Sequence, residues 1–147
     1  MVRKKKRKSP SKRKKLIKQL DTMVRNIVRI RDKNCVTCGV HRKQATMNVS
    51  HKVTRRNYST RWRLENCNLQ CVRCHNEWGL GFTKPYNDYI DNTFGEGTSE
   101  ALEIMGRKTA VEGGLKKDYQ LEELLQKLTD EYNYYLGKEE NKGWSWK

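Results

Sequence analysis

The sequence predicts a small α+β fold, and three observations predict it. Two Cys-x-x-Cys pairs stand 32 residues apart, the segment between them alternates like short strands, and the segments on either side repeat at helical spacing. Hydrophobic residues make up 35% of the chain and charged residues 33%. A core that thin needs a staple, either disulfides or a structural metal.

The charge is uneven. The chain carries a formal +15, yet residues 1–18 hold eleven Lys or Arg and no acid, and the rest is only mildly basic, with 21 basic against 17 acidic residues. A run such as Lys4, Lys5, Lys6 and Arg7 cannot recover its ordering entropy by burial, so residues 1–15 read as a disordered basic arm. Its chemistry suits a phosphate backbone. A membrane surface is a poorer partner, because no apolar anchor accompanies the charge. Neither a secretory signal nor a spanning segment is legible, so the expected setting is the cytoplasm, where thiols stay reduced and paired cysteines read as metal ligands.

The elements follow in order. Leu16, Leu20, Met23, Ile27 and Ile30 mark an amphipathic helix over 16–34, ending near Asp32. Residues 35–82 form the stapled core. Cys35-Val36-Thr37-Cys38-Gly39 is a knuckle, Thr46 to Ser50 a first strand, and Trp62 and Leu64 the alternation of a returning strand that Asn66 ends. A helix starts near Cys71 or Cys74 and breaks at Gly79 and Gly81. Residues 83–137 read as helical: one helix opened by Pro85, one capped by Thr98 or Ser99, and a last one from Asp118 to Gly137. Residues 138–147 read as a flexible tail.

The doubled Cys-x-x-Cys is the most specific signal. Zinc takes four soft ligands in a tetrahedron, and Cys35, Cys38, Cys71 and Cys74 supply two from each turn. A knuckle, a hairpin and a helix start closing on one ion make a treble-clef layout. Cys67, with three residues between it and Cys71 and so a poorer spacing, reads as a small strand residue. Between and beside these pairs lie His51, Asn66 and His75, which such a clamp brings to one side. Phosphodiester hydrolysis needs a base near neutral pKa and a hard cation. His51 suits the first need, His75 can help hold the cation, and Asn66 can orient His51. Taken singly, each has a plainer reading: a surface histidine, a turn-forming asparagine, a helix-start histidine. His41 reads as one of these.

Together the residues resemble a known group. Asn26-Ile27-Val28-Arg29-Ile30-Arg31-Asp32, the knuckle Cys35 to Gly39, Ser50-His51, Arg61-Trp62-Arg63-Leu64-Glu65-Asn66 and Gln70-Cys71-Val72-Arg73-Cys74-His75 are similar to the phage NinG/Rap recombination endonucleases. The resemblance implies an HNH, or ββα-metal (His-Me finger), nuclease with a treble-clef zinc that cleaves D-loops and Holliday junctions with Mg2+ or Mn2+. It implies His51 as general base, Asn66 as the orienting residue, His75 as ligand of the catalytic cation, and the four cysteines as ligands of the structural zinc. Two positions depart from the pattern. Ser50 stands where many HNH enzymes place Asp or His as a second cation ligand, and His75 stands where this family more often has Asn.

The expectation is therefore a DNA endonuclease in which Arg55, Arg56 and Arg61 grip phosphates from the loop after the first strand. Two symmetric cuts at a junction call for two active sites, hence a homodimer with an isologous interface. Two other readings stay open: a non-catalytic zinc module that binds nucleic acid, and a sequence-specific nicking HNH enzyme.

Overall fold

The computed structural model describes residues 9–109, 112–113 and 115–140. Lys4, Lys5, Lys6, Arg7, Gly114, Trp144 and Trp146 lie outside the described residues. The elements run α1 (Lys12–Arg31), β1 (Met47–His51), β2 (Cys67–Cys71), α2 (Val72–Gly79), α3 (Lys84–Phe94), α4 (Thr98–Gly106) and α5 (Asp118–Glu140), with a 3-10 turn over Leu64–Asn66 ahead of β2. No helix among the described residues is long and apolar enough to cross a membrane.

Helix α1 begins at Lys12, inside the stretch expected to be arm, because Ser11 caps it by accepting from the Lys14 N–H. Its buried face is Leu16, Leu20, Val24, Ile27 and Val28. That face meets Trp62, Cys67 and Leu69 from the centre of the chain and Leu121 and Leu128 of α5. Full burial of each large apolar side chain is worth roughly 1.5–3 kcal/mol, so this seam is the main apolar core. The two long helices run parallel. Lys12 and Arg13 pair with Glu122 and Asp118 at their starts, and Lys33 pairs with Glu139 at their ends.

Strands β1 and β2 pair antiparallel, with Met47 opposite Cys71 and His51 opposite Cys67. The returning strand is therefore Cys67–Cys71 and not the alternating segment around Trp62 and Leu64. Trp62 is instead a buried residue whose indole N–H donates to Asp21 at 2.8 Å, and Leu64–Asn66 is a turn. Arg31 and Asp32 tie the end of α1 to this hairpin. The Arg31 guanidinium donates to the carbonyls of Leu64 and Cys67 and to Asn68 Oδ1, and Asp32 accepts the Leu69 N–H.

The C-terminal helices differ from expectation at their ends. Gly97, at φ +82°, precedes α4, and its exposed amides are met by Asp91 of α3, which accepts from both the N–H and the hydroxyl of Ser99. Thr98 and Ser99 are thus inside the helix and not its cap. Helix α5 runs through Gly137 to Glu140, so Lys138–Glu140 are helical where a tail was expected. Tyr86, Ile90 and Leu102 form a second small core between α3 and α4, packed by Val53, Trp78 and Met105.

Candidate metal centre and hydrolytic cleft

The knuckle is shaped by its backbone. The Gly39 N–H donates to the Cys35 carbonyl, the Cys35 N–H to the Val40 carbonyl, and Gly39 turns the chain at φ +76°, which a side chain rarely tolerates. A bridge between Asn34 and His41 closes its base, so His41 has a structural place. The Val36 N–H donates to the Leu69 carbonyl and docks the knuckle against β2. Cys71 ends β2 and caps α2, and Cys74 lies in the first turn of α2.

These links gather the sulfurs of Cys35, Cys38, Cys71 and Cys74 within 4.8 Å of one another. Four thiolates about 2.3 Å from a zinc ion form a tetrahedron with edges of about 3.8 Å, and the Cys38–Cys71 Sγ···Sγ separation is 3.8 Å. The four sulfurs are clustered closely enough to hold a zinc ion. The set also mixes thiols of opposed tendency: the Val40 N–H holds Cys38 down to about 7, whereas burial pushes Cys74 up. A metal that takes all four as thiolates resolves that conflict. Cys67 stays out of the cluster. It is buried in the main core, its thiol faces the Arg61 carbonyl, and burial pushes its pKa up to about 12.

Beside the cluster, His51 at the end of β1 and His75, which directly follows Cys74 on the first turn of α2, line the same cleft, with Asp21, Arg25 and Arg29 of α1, Asn48 and Arg55. The Ser50 hydroxyl lies 2.7 Å from His75 Nδ1 and is fully buried. With Nδ1 engaged, Nε2 is the nitrogen left for a ligand. The Trp78 ring packs 5.9 Å from His75 and stands edge-on to Tyr86 at 5.9 Å. His51 is half-buried, and burial, then the Arg55 charge, push its pKa down to about 4, which keeps the imidazole neutral and able to accept a proton.

Asn66 sits elsewhere than expected. Its side chain is fully buried and faces the loop after β1: Oδ1 accepts the Val53 N–H, and Nδ2 donates to the carbonyls of Val53 and Thr60. It therefore fixes the backbone that follows His51, and all three of these bonds go to backbone groups. Removing it strands buried polar groups, so Asn66→Ala should lower stability by roughly 1–3 kcal/mol. A urea denaturation midpoint that does not move would show that the loop holds itself.

Arg61 is also committed inward. Its guanidinium donates to both oxygens of Asp21, at 2.9 and 2.6 Å, and packs over the rings of Tyr58 and Trp62. Arg55 and Arg56 remain exposed in the loop. Asp21 is the cleft residue that sequence reasoning missed. Although burial opposes it, the bonds from Arg61 and Trp62 hold its carboxyl below the usual range. Its signal was available: Asp21 is the first acid in the chain, set in a helix otherwise rich in Lys and Arg.

Comparison with curated proteins finds no match. Comparison with solved structures finds none either. A family model described as the bacteriophage Lambda NinG protein matches residues 1–113, which include the knuckle, the hairpin, the cleft and α1 to α4. With more than half of its length matched, the chain belongs to the NinG family.

Proposed function

We propose that the chain is a metal-dependent DNA endonuclease of the HNH type that hydrolyses phosphodiesters in branched recombination intermediates, with the cysteine cluster as its structural zinc site. One observation carries the reading: a neutral imidazole from β1 and an imidazole with a fixed Nδ1 from α2 share one basic cleft beside a zinc-type clamp.

In this reading His51 takes the proton from the attacking water. Arg55 and Arg56 hold the flanking phosphates. Phosphate on Arg55 also offsets the charge that depresses His51, which moves the imidazole toward a useful basicity once substrate is bound. His75 Nε2, with substrate oxygens and water, would hold a Mg2+ or Mn2+ ion. Such a cation neutralises charge on the leaving oxygen when bound. Ser50 does not replace the missing acidic ligand; it orients His75 through Nδ1. Asn66 keeps the loop that carries Arg55 and Arg56 in place through Val53 and Thr60. A homodimer would supply the second site that two symmetric cuts at a junction require.

The test is cleavage of labelled linear duplex, D-loop and four-way-junction DNA by the zinc-loaded protein with Mg2+ or Mn2+. Cutting of the branched substrates ahead of the linear duplex is the expected result. Preferred cutting at one duplex sequence would favour a nicking enzyme. Absence of cutting with either cation, alongside intact DNA binding, would leave a zinc module that only binds.

A further inference from the structure

The cleft at His51 and His75 does not end there. A second cleft, lined by Arg42 and Lys43 beyond the knuckle, shares Arg29 and Met47 with it. A third, lined by Arg56, shares His51, His75 and Arg55 with it. The three join into one groove with the two histidines between its ends.

Besides Arg61, which is spent on Asp21, six cations line this groove: Lys43, Arg42, Arg29 and Arg25 on one side of the histidines, Arg55 and Arg56 on the other. Among the described residues none of the six joins an ion pair, whereas Lys12, Arg13, Lys33, Lys52 and Lys84 on other faces each meet an acid. The one acid in the groove, Asp21, is already occupied by Arg61 and Trp62. The positive charge is thus left uncompensated along a line. The line is also built: Arg42 donates to the Arg29 carbonyl at 2.7 Å, which pins the knuckle side to α1. Arg25 and Arg29, four residues apart, sit on neighbouring turns of the same rigid helix, about 6 Å apart along its axis.

We infer that Arg25, Arg29, Arg42 and Lys43 are a second phosphate-binding segment, which continues the grip of Arg55 and Arg56 past the histidines and lays a DNA backbone along the face of α1. The inference rests on nucleic acid being the substrate, and it assigns the backbone its path across the site. It makes α1 a DNA-contacting helix as well as a core helix.

The experiment compares the zinc-loaded full chain with Arg25→Gln/Arg29→Gln and with Lys127→Gln, a control exposed on α5 that lines none of the three clefts. Binding to a labelled four-way junction and to linear duplex is measured across salt concentrations, with zinc content and helicity confirmed for each variant. Each duplex phosphate contact contributes about 0.9 to the slope of log K against log salt. The double variant should therefore flatten the slope by about 2 and weaken binding roughly tenfold or more at moderate salt, while the control leaves both unchanged. Wild type and double variant with equal slopes would overturn the track and leave the endonuclease reading standing. A wild type that binds neither DNA would sink the functional reading and the track with it.

Discussion

His51→Ala is expected to lose on the order of 100- to 10,000-fold in hydrolysis rate on branched DNA, the range that a single general base supplies. Zinc content, fold and junction binding should stay as in wild type, because the imidazole is half-buried at the end of β1 and carries no core packing. His75→Ala should fail in another way. It removes a nitrogen whose partner is Ser50, so higher Mg2+ or Mn2+ should restore part of its rate and should do nothing for His51→Ala. Ser50→Ala should resemble a mild His75→Ala, with an increased cation requirement and an unchanged maximal rate. Equal rates for wild type and His51→Ala would remove the base from the mechanism, and the cleft would need another reading.

Cys71→Ala is expected to lose its zinc and, with it, cooperative unfolding. Cys71 ends β2, caps α2 and carries one of the four gathered sulfurs. Structural zinc contributes an apparent ~10–16 kcal/mol in small metal-stapled modules, as much as the whole ~5–15 kcal/mol stability of a typical domain. Elemental analysis and thermal unfolding of the purified variant provide the check. Cys67→Ser is the contrast: it should keep a full zinc equivalent while losing some stability, since Cys67 is buried away from the cluster. Full zinc occupancy in Cys71→Ala would overturn the four-ligand set.

The parts of this architecture that were legible in the sequence are those set by local spacing. A two-residue gap between cysteines already dictates a turn, so the four sulfurs that the structure gathers are the four that the doubled motif singled out. The buried face of α1 follows a 3.6-residue period, and Leu16, Leu20 and Ile27 were read from it, although Met23 and Ile30 are only half-buried and Val24 and Val28 complete the face. Strand β2 was misplaced for a physical reason: all five of its residues are buried, so the two-residue alternation that marks a half-exposed strand is absent. The visible alternation at Trp62 and Leu64 belonged to a segment fixed by tertiary contacts with Asp21. Long-range partners account for the remaining differences. Nothing local tells that Arg61 is held by Asp21 forty residues earlier, or that Asn66 bonds a loop and not His51. Gly137 lies in the last turn of a helix whose end is held by the Lys33–Glu139 pair, which outweighs its low propensity.

The parallel pairing of α1 with α5 bears on where the molecule can be cut. The family model stops at residue 113, yet the buried stripe of α1 is roofed by Leu121 and Leu128, which lie beyond that point. Recognition by sequence and autonomy in folding therefore have different borders in this chain. A fragment trimmed to the matched stretch would keep every groove cation and both histidines and still expose Leu16, Leu20 and Val24 to water, inviting self-association through that stripe. Helix α5 is a lid on the scaffold and not on the chemistry: it lines none of the three clefts, and through Leu121 and Leu128 it packs behind Val24 and Trp62, which form the groove's back wall.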